Sequence, residues 1–268
     1  MRLDSDNVEP GEIRFSHQKV RRLSQETNLI NQVFPKHVAI ALMQGCKVEP
    51  DRVDMATMFF SDIVGFTTIS SNISPEQVSD MLDCLYLKFD ELSMKHDVFK
   101  IETIGDAYVG VCNLVKKQED NHAKRVVEFA MDALKAASDT QILPKDPSMG
   151  TVRIRVGIHC GPIVARVMWS RNPRYCVFGD MVNTTARMES HSLSMMIHCS
   201  DRAQQILNQQ APDISMESRG EIPIKGKGTM TTFFVANEKN TALGGPLLPE
   251  TEAGATPQEV ASSAPQAR

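Results

Sequence analysis

Apolar positions recur along the chain with two periods, near two and near 3.6 residues, and the switches between them predict the elements. Residues 53–64, VDMATMFFSDIV, are apolar at most positions, as in a strand covered on both faces. Pro75 and Glu76 open a helix on which Val78, Leu82, Leu85, Phe89 and Leu92 share one face. Two β-rich runs, 98–104 and 107–113, flank Gly105 and Asp106, a tight hairpin signal. Residues 119–138 predict an amphipathic helix with Val126, Ala130, Ala133 and Ala137 inward. VRIRVGIH predicts a strand, followed by a less regular stretch to Trp169. YCVFGD and MVNTTARMES then read as strand, turn and helix; a helix over 201–209 and a strand in TMTTFFVA close the pattern. Hairpins mixed with helices predict an α+β architecture, a sheet covered by helices on one face.

The ends behave differently. Residues 16–34 carry a partial helical stripe, Val20, Leu23, Leu29 and Val33; Pro35 interrupts it, and HVAIALMQG continues as a short helix ended by Gly45. A coiled-coil linker and a packed N-terminal helix both fit this pattern. Residues 237–268 are proline-rich with few large apolar side chains and predict a disordered tail. The organisation expected is a helical linker over 1–35, one domain over 36–236 and the tail over 237–268.

Composition narrows the function. A hydrophobic fraction of 41% is ordinary for a globular domain and excludes a wholly disordered or collagen-like chain. Lys and Arg number 29 against 33 Asp and Glu, a net −4, so no global charge draws the chain to nucleic acid. No apolar run reaches the ~18–20 residues of a membrane span, so no membrane contact is expected from this segment. The start, MRLDSDNVEPGEIRF, lacks the apolar core of a signal peptide. Six cysteines without a CxxC suit reduced thiols, and a cytoplasmic location is expected.

Candidate chemistry sits where strands end. Asp62 in FFSDIVGF and Asp106 in TIGDAY each follow an apolar strand and precede a turn. Rigid carboxylates of this kind can hold hard divalent cations, which take oxygen ligands; read singly, each is equally a turn aspartate. Asn183 and Arg187 stand four residues apart, so a helix places both on one face, where an amide and a guanidinium suit an anionic transition state. IKGKGT sets Lys225 and Lys227 in a glycine-spaced turn able to close over a polyphosphate.

Together these segments carry more. FFSDIVGFT, then ETIGDAY with its aspartate 44 residues after Asp62, then RVGIHCGPIVA, RYCVFGDMVNTTARMES and IKGKG, in that order, resemble the class III nucleotide cyclase catalytic domain over roughly residues 28–236. NQVFPKHVAIAL is similar to the helix that enters this domain in receptor-type and soluble guanylyl cyclases. The resemblance implies a ferredoxin-like βαββαβ core sheet working as a head-to-tail dimer. It implies Asp62, Asp106 and the backbone carbonyl of Ile63 as ligands of two divalent cations, Mg²⁺ or Mn²⁺. Asn183 and Arg187 match the transition-state pair, and Lys225 and Arg155 the phosphate contacts.

Base choice rests on Glu102 and Cys176, which stand where adenine-selecting relatives carry Lys and Asp or Thr. Guanine presents N1–H and N2–H donors that a carboxylate accepts, while a thiol donates weakly to O6. Adenine would set its N1 acceptor against Glu102. Arg174 is placed to orient Glu102. The implied reaction converts GTP to 3′,5′-cyclic GMP and pyrophosphate across a homodimer interface. Adenylyl cyclase activity and a non-catalytic nucleotide-binding or dimerisation subunit are the alternatives. A two-carboxylate phosphodiesterase or polymerase-like enzyme would need neither Glu102 with Cys176 nor the KGKG turn. ARVMWSRNP departs from the glycine-rich text usual in the family, and the leading helix suggests an upstream sensor.

Overall fold

The computed structural model describes residue 30 and residues 33–168 and 173–236. Strand β1 (Asp51–Ile63) runs through an eight-stranded sheet, antiparallel to β3 (Ala107–Cys112) on one side and to β4 (Ile154–Met168) on the other. Strand β2 (Phe99–Ile104) pairs with β3 in the expected hairpin, giving the order β2-β3-β1-β4. Helix α3 (Pro75–His96) joins β1 to β2, and α4 (His122–Ser138) joins β3 to β4, so this half is the βαββαβ core that the resemblance implies. Past β4 lie β6 (Ile197–Ser200), parallel to it, then β8 (Gly228–Val235) and β7 (Met216–Ile224); β5 (Arg174–Phe178) pairs with the far half of β4. Helices α1 (Lys36–Met43), α2 (Phe66–Asn72), α5 (Asp180–Ser190) and α6 (Asp201–Gln210) complete the fold.

Local chemistry explains these bounds. Ser74 caps α3 in a reciprocal capping box with Gln77, and Pro75 occupies the first turn, where its missing N–H costs nothing. Its buried residues are Met81, Leu85, Phe89 and Ser93, so the inward stripe is rotated toward Met81 from the predicted one. Ser200 caps α6. Gly105 takes a positive φ of 61° at the first central position of the two-residue β2–β3 turn, a conformation that glycine adopts freely.

Alternation along the strands builds two cores. On one face Phe59, Phe89, Tyr108 and Phe129 pack edge to face in the core that α3, α4 and α6 cover. On the other, Met58, Val109, Val111, Ile163 and Tyr175 meet Phe34, Val38 and Ala39 of the leading helix segment and Met181 of α5. Helices α2, α3, α4 and α6 cover the first face as expected, and the reverse face has a cover of its own. Helices α1 and α5 cover the reverse face, because every residue of β1 from Ala56 to Phe59 is buried and both sides need a cover. The irregular stretch expected before Trp169 is instead strand, up to Met168. Pro162 lies opposite the bulge between Val53 and Ala56, where a ladder N–H is not required.

All six cysteines are free thiols. Among the described residues no helix is long and apolar enough to cross a membrane. The linker expected over 1–35, apart from residue 30 and residues 33–35, and the whole tail over 237–268 lie outside the described residues.

Candidate active site

The end of β1 and the tip of the β2–β3 hairpin bring the two aspartates together. Asp106 Oδ2 accepts a hydrogen bond from the Ile63 amide at 3.3 Å. Burial, followed by the neighbouring Asp62 carboxyl, pushes Asp106 up to about 7. Two carboxylates this close keep a proton between them when no cation separates them. Asp62 stands directly across the strand pair from Arg155, whose Nη2 donates to Asp62 Oδ2 at 2.9 Å. The Tyr86 hydroxyl donates to the Gly105 carbonyl at 3.2 Å, and burial together with Asp106 and Asp62 raises its phenol.

A third carboxylate, absent from the sequence-based set, completes this corner. Glu189 lies in the last turns of α5, two residues after Arg187, and its side chain is only 9% exposed. Its Oε1 lies 3.1 Å from Arg155 Nε, an ion pair not aligned as a hydrogen bond, so both buried atoms lack a hydrogen-bond partner. Burial pushes Glu189 up to about 7; Arg155 opposes that rise, and Asp62 and Asp106 add to it. A helical signal for it existed: Glu189 continues the buried register of Met181, Thr185 and Met188.

This corner holds three carboxylates and one guanidinium. A divalent cation between Asp62 and Asp106 would offset both the burial and the Asp62 charge that raise Asp106, so the residues fit such an ion. Among the described residues no cluster of three or more His, Cys, Asp or Glu side chains is arranged to hold a metal. Side chains thus offer two ligands here, because Glu189 is turned to Arg155. Ile63 shows its amide to Asp106; the ligand role of its carbonyl remains an expectation.

Base-reading candidates meet elsewhere on the sheet. Phe99 and Glu102 are three residues apart and would face opposite sides of a regular strand. A bulge between Lys100 and Glu102 restores them to one side: Phe99 pairs with Val111 and Glu102 with Val109, both on the face that α1 covers. Burial raises the Cys176 thiol, the Glu102 carboxylate adds to this, and Arg174 opposes it, which places the three within electrostatic reach. No hydrogen bond joins Arg174 to Glu102 among the described residues.

Asn183 and Arg187 both lie on α5, Asn183 exposed and Arg187 half-buried. Neither side chain, nor that of exposed Lys225 in the β7–β8 turn, forms a hydrogen bond or ion pair among the described residues. Lys227, the second lysine of that turn, pairs with Asp180 in the first turn of α5 and holds its carboxyl below the usual range. The turn is therefore docked on the helix that carries Asn183. Nothing among the described residues links Asn183, Arg187, Lys225 or Glu102 directly to the Asp62–Asp106 pair; the tie runs through Glu189 and Arg155.

Residues 48–237 match the family described as the adenylate and guanylate cyclase catalytic domain. The chain is 41% identical over 240 residues to retinal guanylyl cyclase 2 of Rattus norvegicus, covering 89% of this chain and 21% of that protein. It is 41% identical over 239 residues to guanylate cyclase soluble subunit beta-2 of Rattus norvegicus, covering 87% of this chain and 34% of that protein. It thus spans about a fifth to a third of the length of these relatives. The solved guanylate cyclase domain of RhGC from Catenaria anguillulae, in complex with GTP, superposes with a TM-score of 0.64 at 36% identity, covering 69% of this chain and 97% of that one.

Proposed function

Because the chain belongs to the adenylate and guanylate cyclase catalytic domain family, we propose that it is a guanylyl cyclase, converting GTP to 3′,5′-cyclic GMP and pyrophosphate at a homodimer interface. The observation that carries this reading is the carboxylate pair where the end of β1 meets the β2–β3 turn, with Asp106 accepting from the Ile63 amide and Asp62 held by Arg155. Two divalent cations, Mg²⁺ or Mn²⁺, held by Asp62, Asp106 and the Ile63 carbonyl, would supply activation of the ribose 3′-hydroxyl and neutralisation of the phosphates.

The chain's own side chains do the rest. One protomer contributes Asp62, Asp106 and Arg155; its partner contributes Glu102, Cys176, Asn183, Arg187 and Lys225. Glu102 accepts from guanine N1–H and N2–H, and the Cys176 thiol donates to O6. Asn183 orients the ribose so that O3′ faces the α-phosphorus. The bond from O3′ to the α-phosphorus forms as the bond to pyrophosphate breaks, and the hydroxyl proton leaves to solvent. Arg187 binds the α-phosphoryl oxygens as their charge grows. Lys225 and Arg155 hold the departing phosphates.

Turnover of GTP and ATP, each with Mn²⁺ or Mg²⁺, tests this reading. GTP is expected to be preferred by ~10–100-fold, the cost of mismatching a buried polar edge, and Glu102→Lys combined with Cys176→Asp should shift preference toward ATP. A chain inert with both nucleotides is a non-catalytic subunit. A double variant that keeps full GTP preference removes the base-reading roles.

A further inference from the structure

Asp51, the first residue of β1, receives two hydrogen bonds on a single oxygen. The Tyr175 hydroxyl donates to its Oδ2 at 2.5 Å and His37 Nε2 donates to the same atom at 2.9 Å. These donors come from distant parts of the chain. His37 lies on α1, the helix that leads into the domain, and Tyr175 lies on β5, one residue before Cys176. Tyr175 is buried, and its ring stands edge-on to Phe99 with centroids 6.1 Å apart. Phe99 lies on β2, on the same face as Glu102 once the bulge is counted. Strands β3, β1 and β4 separate β2 from β5 along the sheet, so that contact shows how far this face curls.

The two strands that carry Glu102 and Cys176 are therefore not hydrogen-bonded to one another. Strand β5 is five residues long and pairs only with β4 among the described strands. Its ladder to β4 fixes one side of it, and across the curled face the Tyr175–Phe99 ring contact joins it to β2. Tyr175 is in turn hydrogen-bonded to Asp51, and α1 packs Val38 and Ala39 into the same core, with Phe34 just before it. A carboxylate holding two donors at once makes charge-assisted bonds, the stronger kind.

We propose that Asp51 is a joint, with His37 and Tyr175 as positioning residues, through which the orientation of α1 sets the spacing of Glu102 and Cys176 and hence the affinity for the purine base. The proposal rests on the reading of those two residues as the base contacts. A thiol and a carboxylate must reach opposite ends of one purine edge, and hydrogen bonds weaken steeply once stretched past ~3.5 Å. Helix α5, joined to β5 through Gly179, has its own seat on Gly157 of β4, so a small movement of β5 acts first on the base contacts. Were Asp51 only a clamp for α1, its loss would lower stability alone.

The test uses the whole chain carrying Cys46→Ser and Cys84→Ser, which removes the two exposed thiols and leaves half-buried Cys176 as the most accessible one. Tyr175→Phe deletes one hydrogen bond with little change of volume, and His37→Ala deletes the other. The alkylation rate of Cys176 by iodoacetamide is measured beside KM and kcat for GTP. Tyr175→Phe is expected to raise both the alkylation rate and KM by roughly three- to tenfold, with kcat changed by less than about twofold, the pattern of lost uniform binding. His37→Ala is expected to move both in the same direction by a smaller factor. A lowered melting temperature with an unchanged alkylation rate overturns the joint, whatever the turnover. A shifted alkylation rate in a chain that never consumes GTP upholds the joint and removes the cyclase reading instead.

Discussion

Glu189 is a charged residue buried where a helix meets a sheet, and its protonation carries a signed consequence. Burial raises its carboxyl from the usual 4.5 to about 7 in the folded chain. The folded state therefore holds a proton that the unfolded state releases. Stability from neutral Glu189 is full below the unfolded value and is lost as pH rises through about 7, a loss of roughly 3 kcal/mol at most. Glu189→Gln keeps the shape and cannot ionise. Thermal unfolding of the metal-free protein is expected to show wild type losing more stability than the variant between about pH 5 and about pH 8; parallel curves would contradict it. Single residues were legible in proportion to their motifs. Asp62 and Asp106 stood out because each ends an apolar strand at a turn, and the structure sets them side by side. Glu189 did not, because a carboxylate on a helix is ordinarily solvated, and its place in the inward register of Met181, Thr185 and Met188 was the one mark against that.

At the scale of elements, the seat of α5 depends on one missing side chain. A Cβ on Gly157 of β4 would lie 2.1 Å from the Glu189 amide nitrogen and 2.6 Å from the Thr185 carbonyl oxygen, both backbone atoms of α5. Helix and strand could not both stay in place. Gly157→Ala is expected to cost more than about 2 kcal/mol and, because α5 carries Asn183 and Arg187, to lower turnover in the protein that still folds. Gly161 is the control on the same strand. A Cβ there meets nothing nearer than 3.5 Å, so Gly161→Ala is expected to stay within about 1 kcal/mol. Chemical denaturation of the two variants decides it: equal losses would show that α5 is not seated on Gly157. Periodicity disclosed α3, α4 and the β2–β3 hairpin, because each buries one face and repeats it. It missed the continuation of β4 past Pro162, which depends on a bulge in its neighbour. It also missed the bulge that turns Glu102, since an extra residue in a strand leaves no mark on hydrophobic alternation.

At the scale of the whole molecule, one chain holds every group that the proposed reaction needs, yet it keeps them in separate places. Asn183, Arg187 and Lys225 form no side-chain hydrogen bond or ion pair among the described residues, while Asp62 and Arg155 bind each other at 2.9 Å. In the proposed two-fold dimer each site would take the carboxylates of one copy and the α5 side chains of the other. In that dimer the bridge from Asp62 through Arg155 to Glu189 would join opposite halves of two different sites, since Glu189 shares its helix with Arg187. Mixing two inactive variants tests the arrangement directly. Asp106→Asn spoils the carboxylate half and Arg187→Ala the other half, and each alone is expected to lack measurable turnover. In a mixed dimer one site collects both defects and the other collects neither. Random pairing makes half the dimers mixed, each with one intact site of two, so an equal mixture should recover about a quarter of wild-type turnover. The recovered activity should fall on dilution as the dimers separate. A mixture as inactive as its components would show that each site is built within one chain.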